Sequence, residues 1–257
     1  MRKLGIQLYT VRENFKDEAM ARATFKKLRE LGYEEAQTAG CYGFDYALFY
    51  EMAKDAGIEI VGTHDDFKLM CEDPDTAIEN HKKLHTTNMG IGGFFPHSVA
   101  EVENFIAAAN KVAAKAAKAG MKFTYHNHSQ EFLPLDNGTN TMEMLIKGLD
   151  PENTSFVLDT HWVQNAGGDV CDWIERLAGR IDILHLKDMA AHINEKGIVA
   201  PLIAACGKGN MNFEKIIATA VKTGVKYFCV EQDNCPADFV DSVKASADHL
   251  LPILKKF

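Results

Sequence analysis

The runs TSFVLDTHWVQ (154–164), DILHLKD (182–188) and YFCVEQD (227–233) decide how this chain is read. Each opens on a short apolar stretch rich in β-branched or aromatic residues and closes on a polar cluster. Continuous apolar character suits a strand covered on both faces, as in a parallel sheet. A sudden change to Asp, His, Lys or Glu at its end suits a strand whose C-terminal tip opens onto a site.

Working outward, the same unit recurs. LGIQLY (4–9), YEEAQT (33–38), IEIVGT (58–63), NMGIGG (88–93) and MKFTYHN (121–127) supply five more strands. Helical stretches such as EAMARATFKKLRELG, DYALFYEMAKDAG, VENFIAAANKVAAKAAKAG and NFEKIIATAVKTG lie between them. These end at Gly32, Gly57, Gly120 and Gly224, where a left-handed residue stops a helix. Strands alternating with single helices predict a parallel α/β sheet. Eight such units in 257 residues, without a linker, predict one closed (β/α)8 TIM barrel domain over residues 1–257. No GxGxxG follows the first strand and no GxxxxGK[ST] occurs, so neither a dinucleotide fold nor a P-loop is indicated. NMGIGG is glycine-rich for a strand, but the spacing requires an element there.

Composition narrows the function. A formal net charge of −8 speaks against a general nucleic-acid surface, since phosphate backbones reward clustered Lys and Arg. The start MRKLGIQLYTVRENF has no signal-peptide core, and the Ala-rich run 105–119 is interrupted by Lys111, Lys115 and Lys118, so no membrane span is expected. Six cysteines without CxxC spacing read as reduced thiols. A cytoplasmic enzyme acting on small molecules is expected.

The polar strand ends carry the chemistry. Strand three ends Thr63-His64-Asp65-Asp66, strand five Tyr125-His126-Asn127-His128 and strand six Asp159-Thr160-His161-Trp162. Strand seven holds His185-Leu186-Lys187-Asp188, and strand eight Glu231-Gln232-Asp233. Residues two apart on a strand share a face, so His126 with His128, Asp159 with His161, and His185 with Lys187 are expected to pair inward. Imidazoles and carboxylates converging on one volume suit a divalent metal: Mn²⁺ first for a mixed O/N set, then Mg²⁺, Co²⁺, Zn²⁺ or Fe²⁺. Each residue also has a plainer use. Asp159 could cap the helix after strand six, and Glu231 could pair with a cation. His81, His85, His192 and His249, away from strand ends, read as ordinary structural residues, and His97 as loop surface. Four consecutive strands ending in metal-competent side chains favour the joint reading.

These segments resemble the xylose isomerase-like TIM barrels, the sugar phosphate isomerase/epimerase group. It includes D-tagatose 3-epimerase-like enzymes, inosose dehydratase, hydroxypyruvate isomerase and endonuclease IV. The resemblance runs through GIQLYTVR (5–12), GIEIVGTH (57–64), YHNH (125–128), LDTHWVQNAGGD (158–169), ILHLKD (183–188), GKGNMNF (207–213) and VEQD (230–233). It implies metal ligands Asp159, His185 and Glu231, with His126, or else His128, where many relatives have a strand-five glutamate. It also puts Gln37 where many relatives have Glu. The implied partner is a small carbohydrate, and relatives often form dimers or tetramers.

The resemblance implies a metal-dependent isomerase or epimerase working through an enediolate, with a lyase or dehydratase as the alternative. In that reading Glu231 is the base or acid. Lys187, His161, His64 or His128 supplies the second proton-transfer group or stabilises the oxyanion, and the histidine in place of one glutamate, as an imidazolium near the leaving oxygen, would help that oxygen depart. Gln7, Trp162 and Gln232, with His64 and His128, would bind the sugar. A DNA repair endonuclease and a non-catalytic sugar-binding barrel are the rivals from other classes. The loop GKGN (207–210) suits either a phosphate cradle or, more simply, a tight turn before a helix capped by Asn212.

Overall fold

A computed structural model describes residues 2–257. Eight parallel strands form one sheet: β1 (Gly5–Gln7), β2 (Glu35–Ala39), β3 (Glu59–His64), β4 (Asn88–Ile91), β5 (Lys122–His126), β6 (Thr154–Asp159), β7 (Ile181–Leu186) and β10 (Tyr227–Val230). Their order is β3-β2-β1-β10-β7-β6-β5-β4, so first and last strands are neighbours and the sheet rolls into a nearly closed barrel. The eight-strand barrel expected from the sequence is therefore present.

The seam between β3 and β4 is closed by side chains rather than by a regular ladder. Asn88 Nδ2 donates to Val61 O at 2.8 Å, Gly90 N to Thr63 Oγ1 at 3.1 Å, and Asp65 N to Gly90 O at 2.8 Å. This explains the glycine in β4. A Cβ on Gly90 would fall 2.3 Å from Thr63 O and 2.4 Å from Thr124 Oγ1, closer than any side chain can approach.

The helices that cover the barrel follow their sequence signals. α1 (Glu18–Glu30) is capped by Asp17, α2 (Tyr46–Asp55) by Asp45, and α5 (Val99–Ala117) by Ser98. Each cap oxygen takes one of the amides a helix start leaves unpaired. Gly32, Gly57, Gly120 and Gly224 all carry positive φ, as helix stops require. No helix among the described residues is long and apolar enough to cross a membrane.

Two departures from expectation matter. β1 stops at Gln7, because the Gln7 side chain accepts from Tyr9 N at 3.1 Å and turns Leu8–Asn14 into a 3-10 helix. An antiparallel hairpin, β8 (Asp188–Ile193) and β9 (Val199–Ala204), also follows β7.

Alternation along the strands positions the site. Val157, Ile183 and Cys229 belong to a small apolar cluster separate from the main core, the filling of the barrel. Two residues further along lie Asp159, His185 and Glu231, which therefore form the next layer up on the same face.

Candidate metal centre

One nitrogen or oxygen from each of His126, Asp159, His185 and Glu231 lies within 4.8 Å of the other three. All four side chains are buried, at 4% exposure or less. His126 Nε2 is 3.4 Å from Asp159 Oδ2 and 3.9 Å from Glu231 Oε2; His185 Nδ1 is 3.6 Å and 3.0 Å from the same two atoms.

Both imidazoles are turned by partners outside the cluster. His126 Nδ1 meets Gly92 O at 3.2 Å, and His185 Nε2 meets Gln37 Oε1 at 2.6 Å. Each acceptor claims an N–H, which leaves the other nitrogen of each ring aimed at the carboxylates. His185 Nδ1 has no well-aligned hydrogen-bond partner despite its closeness to Glu231. An imidazole whose outer nitrogen is tied and whose inner nitrogen faces carboxylates without an aligned partner is the arrangement metal-ligating histidines adopt. With one oxygen from each carboxylate, the donor set fits a divalent cation of the Mn²⁺, Zn²⁺, Co²⁺ or Fe²⁺ type.

Asp159 serves two ends at once. Its Oδ1 accepts from Trp162 N at 3.0 Å and caps α7 (Thr160–Asn165), while Oδ2 faces the cluster. Capping and cluster membership, alternatives in the sequence, coexist because a carboxylate has two oxygens.

Lys187 is the cation of the site. Its Nζ lies 2.7 Å from Asp233 Oδ1, 3.1 Å from Glu231 Oε2 and 3.4 Å from Asp159 Oδ2, with the Trp162 ring 4.8 Å away. The side chain is only 1% exposed. Burial works against its charge, but the three carboxylates outweigh burial and hold the ammonium well above its usual pKa. Burial would likewise raise Glu231 and Asp159, yet Lys187 and the neighbouring histidines pull both below the usual carboxylate range.

Above this layer opens a cavity of about 590 Å³, ample for a small sugar. His64, His126, His128, Trp162, Lys187 and Glu231 are among its walls. His64 stacks on His126 with ring centres 4.8 Å apart. Gln7 Nε2 donates to His64 Nδ1 at 3.2 Å, so the proton of the neutral ring sits on Nε2, which has no protein partner.

Besides Asp159 and His185, which lie in the layer beneath, three expected site residues do not line the cavity. His161 turns away because α7 begins at Thr160 and ends strand alternation; its Nδ1 meets Asp188 O at 3.3 Å. Gln7 acts one step back, through His64. Gln232 accepts from Ser242 Oγ at 2.7 Å and faces the helix layer. Burial, the largest cause for each, lowers His64, His161 and His128, the last to about 3.

Sequence reasoning assigned no role to Tyr9, Asp65, Asp66 and Asp233, which also line the cavity. It also missed Glu131, whose Oε1 accepts from Tyr125 OH at 2.7 Å and whose Oε2 accepts from His128 N at 2.9 Å. Glu131 thus fixes the end of β5. Gln37, noted only as a departure, is the residue that turns His185. The bland reading of His81 holds: its ring is buried between Thr63 Oγ1 and Ala77 O.

Residues 25–253 match the xylose isomerase-like TIM barrel family. The chain belongs to that family. Among solved structures, a sugar phosphate isomerase/epimerase from Parabacteroides distasonis ATCC 8503 superposes with a TM-score of 0.80. It is 23% identical, with 98% of this chain and 95% of that one covered. An L-ribulose 3-epimerase gives 0.75 at 14% identity, covering 100% and 95%. In sequence, the chain is similar to an inosose dehydratase of Mesomycoplasma hyopneumoniae (strain 7448), 26% identical over 171 residues. That match covers 60% of this chain and 55% of the relative, so the chain spans about half the length of the curated relatives it matches. Family members thus include both epimerases and dehydratases.

Proposed function

We propose that the chain is a metal-dependent enzyme that removes a proton from the carbon beside the carbonyl of a small keto-sugar or keto-polyol. The observation that carries this reading is the buried set His126, Asp159, His185 and Glu231, with Lys187 beside it, under a sugar-sized cavity. These four residues would hold the cation, with Mn²⁺ preferred for mixed nitrogen and oxygen donors. Bound there, the metal supplies the positive charge that makes an enediolate accessible.

The protein's own groups do the rest. Glu231, kept ionised by Lys187 and His185, takes the proton. His64 donates its unpartnered Nε2–H to a substrate oxygen, and the Lys187 ammonium meets the oxygen that gains charge or departs. His128 and Trp162 enclose the ring. The site stays small, with Asp233 anchoring Lys187 from the far side.

The same deprotonation serves isomerisation, epimerisation and elimination. Family frequency puts isomerase or epimerase first. The geometry favours the lyase outcome, because the carboxylate that would return a proton to the opposite face is replaced by His126, an imidazole turned into the cluster. A cation beside the single glutamate instead suits departure of a β-oxygen, and the similarity to inosose dehydratases points the same way. A DNA repair reading fits less well, because a single such cluster is found among the described residues and the charge is −8.

The test is incubation of the Mn²⁺-loaded protein with inososes and free ketoses in D2O. Deuterium entering next to the carbonyl supports the reading, and an unsaturated product supports elimination. An epimer or aldose would overturn the lyase outcome alone. Metal-loaded protein that exchanges no substrate C–H, or exchanges it equally as Glu231→Gln, would overturn the proposal.

A further inference from the structure

Barrels of this kind commonly hold a substrate phosphate in the loops after the seventh and eighth strands, using backbone N–H groups at a helix start. In this chain those loops follow β7 and β10. The first contains GKGN (207–210) and runs into α9 (Phe213–Lys222), capped by Asn212. Its amides already have an anion. Asp188 Oδ2 accepts from Gly207 N and Gly209 N, both at 2.9 Å, and Oδ1 accepts from Met211 N at 3.1 Å and Met189 N at 2.8 Å. Asp188 is fully buried. It stands where a phosphate would, so close that a Cβ on Gly209 would fall 2.3 Å from Oδ1. Lys208, the cation of that loop, is exposed and does not line the cavity.

The loop after β10 offers no replacement, since it presents Asp233 to the cavity. Asp65 and Asp66 line another side, with Tyr46 OH donating to Asp65 Oδ2 at 2.9 Å. Among the described residues that line the cavity, Lys187 is the one Lys or Arg. Its three closest charged neighbours are carboxylates. Even a divalent ion on the buried cluster leaves Asp65, Asp66, Asp159, Glu231 and Asp233 in excess over positive charge. A phosphate ester, with nearly two negative charges at neutral pH, meets repulsion and no free donor cluster.

We propose that the site takes an uncharged polyhydroxy ketone and rejects its phosphate esters, with Asp188 closing the phosphate position from within. This rests on the proton-transfer reading for the word ketone, but not for the exclusion of phosphate.

Two measurements on the Zn²⁺-loaded protein, whose ion fits the donor set and leaves amide resonances sharp, separate those parts. The first follows the backbone amide resonances of Gly207, Gly209 and Met211 during titration with inorganic phosphate. The second compares binding of D-fructose and scyllo-inosose with that of the 1- and 6-phosphates of fructose, alongside deuterium exchange in D2O. Silent amides, with the neutral ligands bound at least about tenfold more tightly than the esters, are the expected result. Saturable shifts at the three amides, or tighter binding of an ester, would overturn the proposal. Silent amides without any deuterium exchange would leave the exclusion of phosphate standing and remove the reaction assigned to the site.

Discussion

Gln37 Oε1 and His185 Nε2 meet at 2.6 Å across the barrel, 148 residues apart in sequence. The amide is oriented in turn by Gln37 Nε2, which reaches Thr63 O at 3.5 Å. This contact decides which nitrogen of His185 faces the carboxylates. Outer partners of ligating histidines typically change metal affinity by about 10–100-fold. Gln37→Leu should therefore weaken Mn²⁺ binding within that range in calorimetric titration, with the circular dichroism spectrum unchanged. Wild-type affinity in that variant would show that Gln37 does not orient a ligand.

The pH dependence follows from the same ring. Burial disfavours charge on His185, but Glu231 and Asp159 beside it raise its pKa from 6.5 to about 9. The metal-free fold thus gains stability from the protonated ring. That gain is complete below the unfolded value of 6.5 and is lost as pH rises through about 9. Metal binding has the opposite slope, because Nδ1 must first release its proton. Affinity should climb with pH up to about 9, with release of about one proton near neutral pH. Calorimetry in buffers of different ionisation enthalpy reads that number, and zero release would refute the assignment.

Lys187→Met removes the cation from a buried group of three carboxylates. Breaking one side of a buried ion cluster costs roughly 3–5 kcal/mol. The metal-free variant should lose about that much in urea unfolding. Added Mn²⁺ should recover part of the loss by neutralising Asp159 and Glu231, which wild-type protein needs less. Equal metal stabilisation in both proteins would argue against a shared electrostatic site.

Asp188→Ala strips four backbone amides of their acceptor. Each charged hydrogen bond of this kind contributes about 1.5–3 kcal/mol, and the four do not add. A loss on the order of 3 kcal/mol is expected, with hydrogen exchange accelerating at Gly207, Gly209 and Met211 before the barrel strands. Unchanged exchange there would mean that the loop holds its shape without Asp188.

The barrel was legible because apolar runs and helix stops repeat in phase; TSFVLD (154–159) coincides with β6 to the residue. Strand alternation brought Asp159, His185 and Glu231 to one layer because each stands two positions beyond an interior apolar residue. Alternation failed at His161, where a helix starts one residue after the strand ends. The hairpin of β8 and β9 was hidden because its residues read as loop: DMAAHI and VAPLIA flank a turn at Gly197 and expose Ile193 and Val199. The roles of Gln37, Glu131 and Asp233 were hidden for another reason. Gln37 and Asp233 act through His185 and Lys187, partners far along the chain that local pattern does not carry, and Glu131 acts through Tyr125 and His128 only because the loop after β5 folds back on the strand.

The side-chain seam between β3 and β4 makes this barrel a belt with a buckle. Elsewhere a strand is held by a row of equivalent amides, and losing one leaves its neighbours in register. Here the join hangs on Asn88, Thr63 and Gly90, and its last link ties Gly90 O to Asp65 N at the cavity wall. His64 and Gly92 flank that link, and Gly92 O is the acceptor that turns His126. The least redundant joint of the fold is therefore continuous with the mouth of the site. Loosening it would reach a candidate ligand before it reached the core.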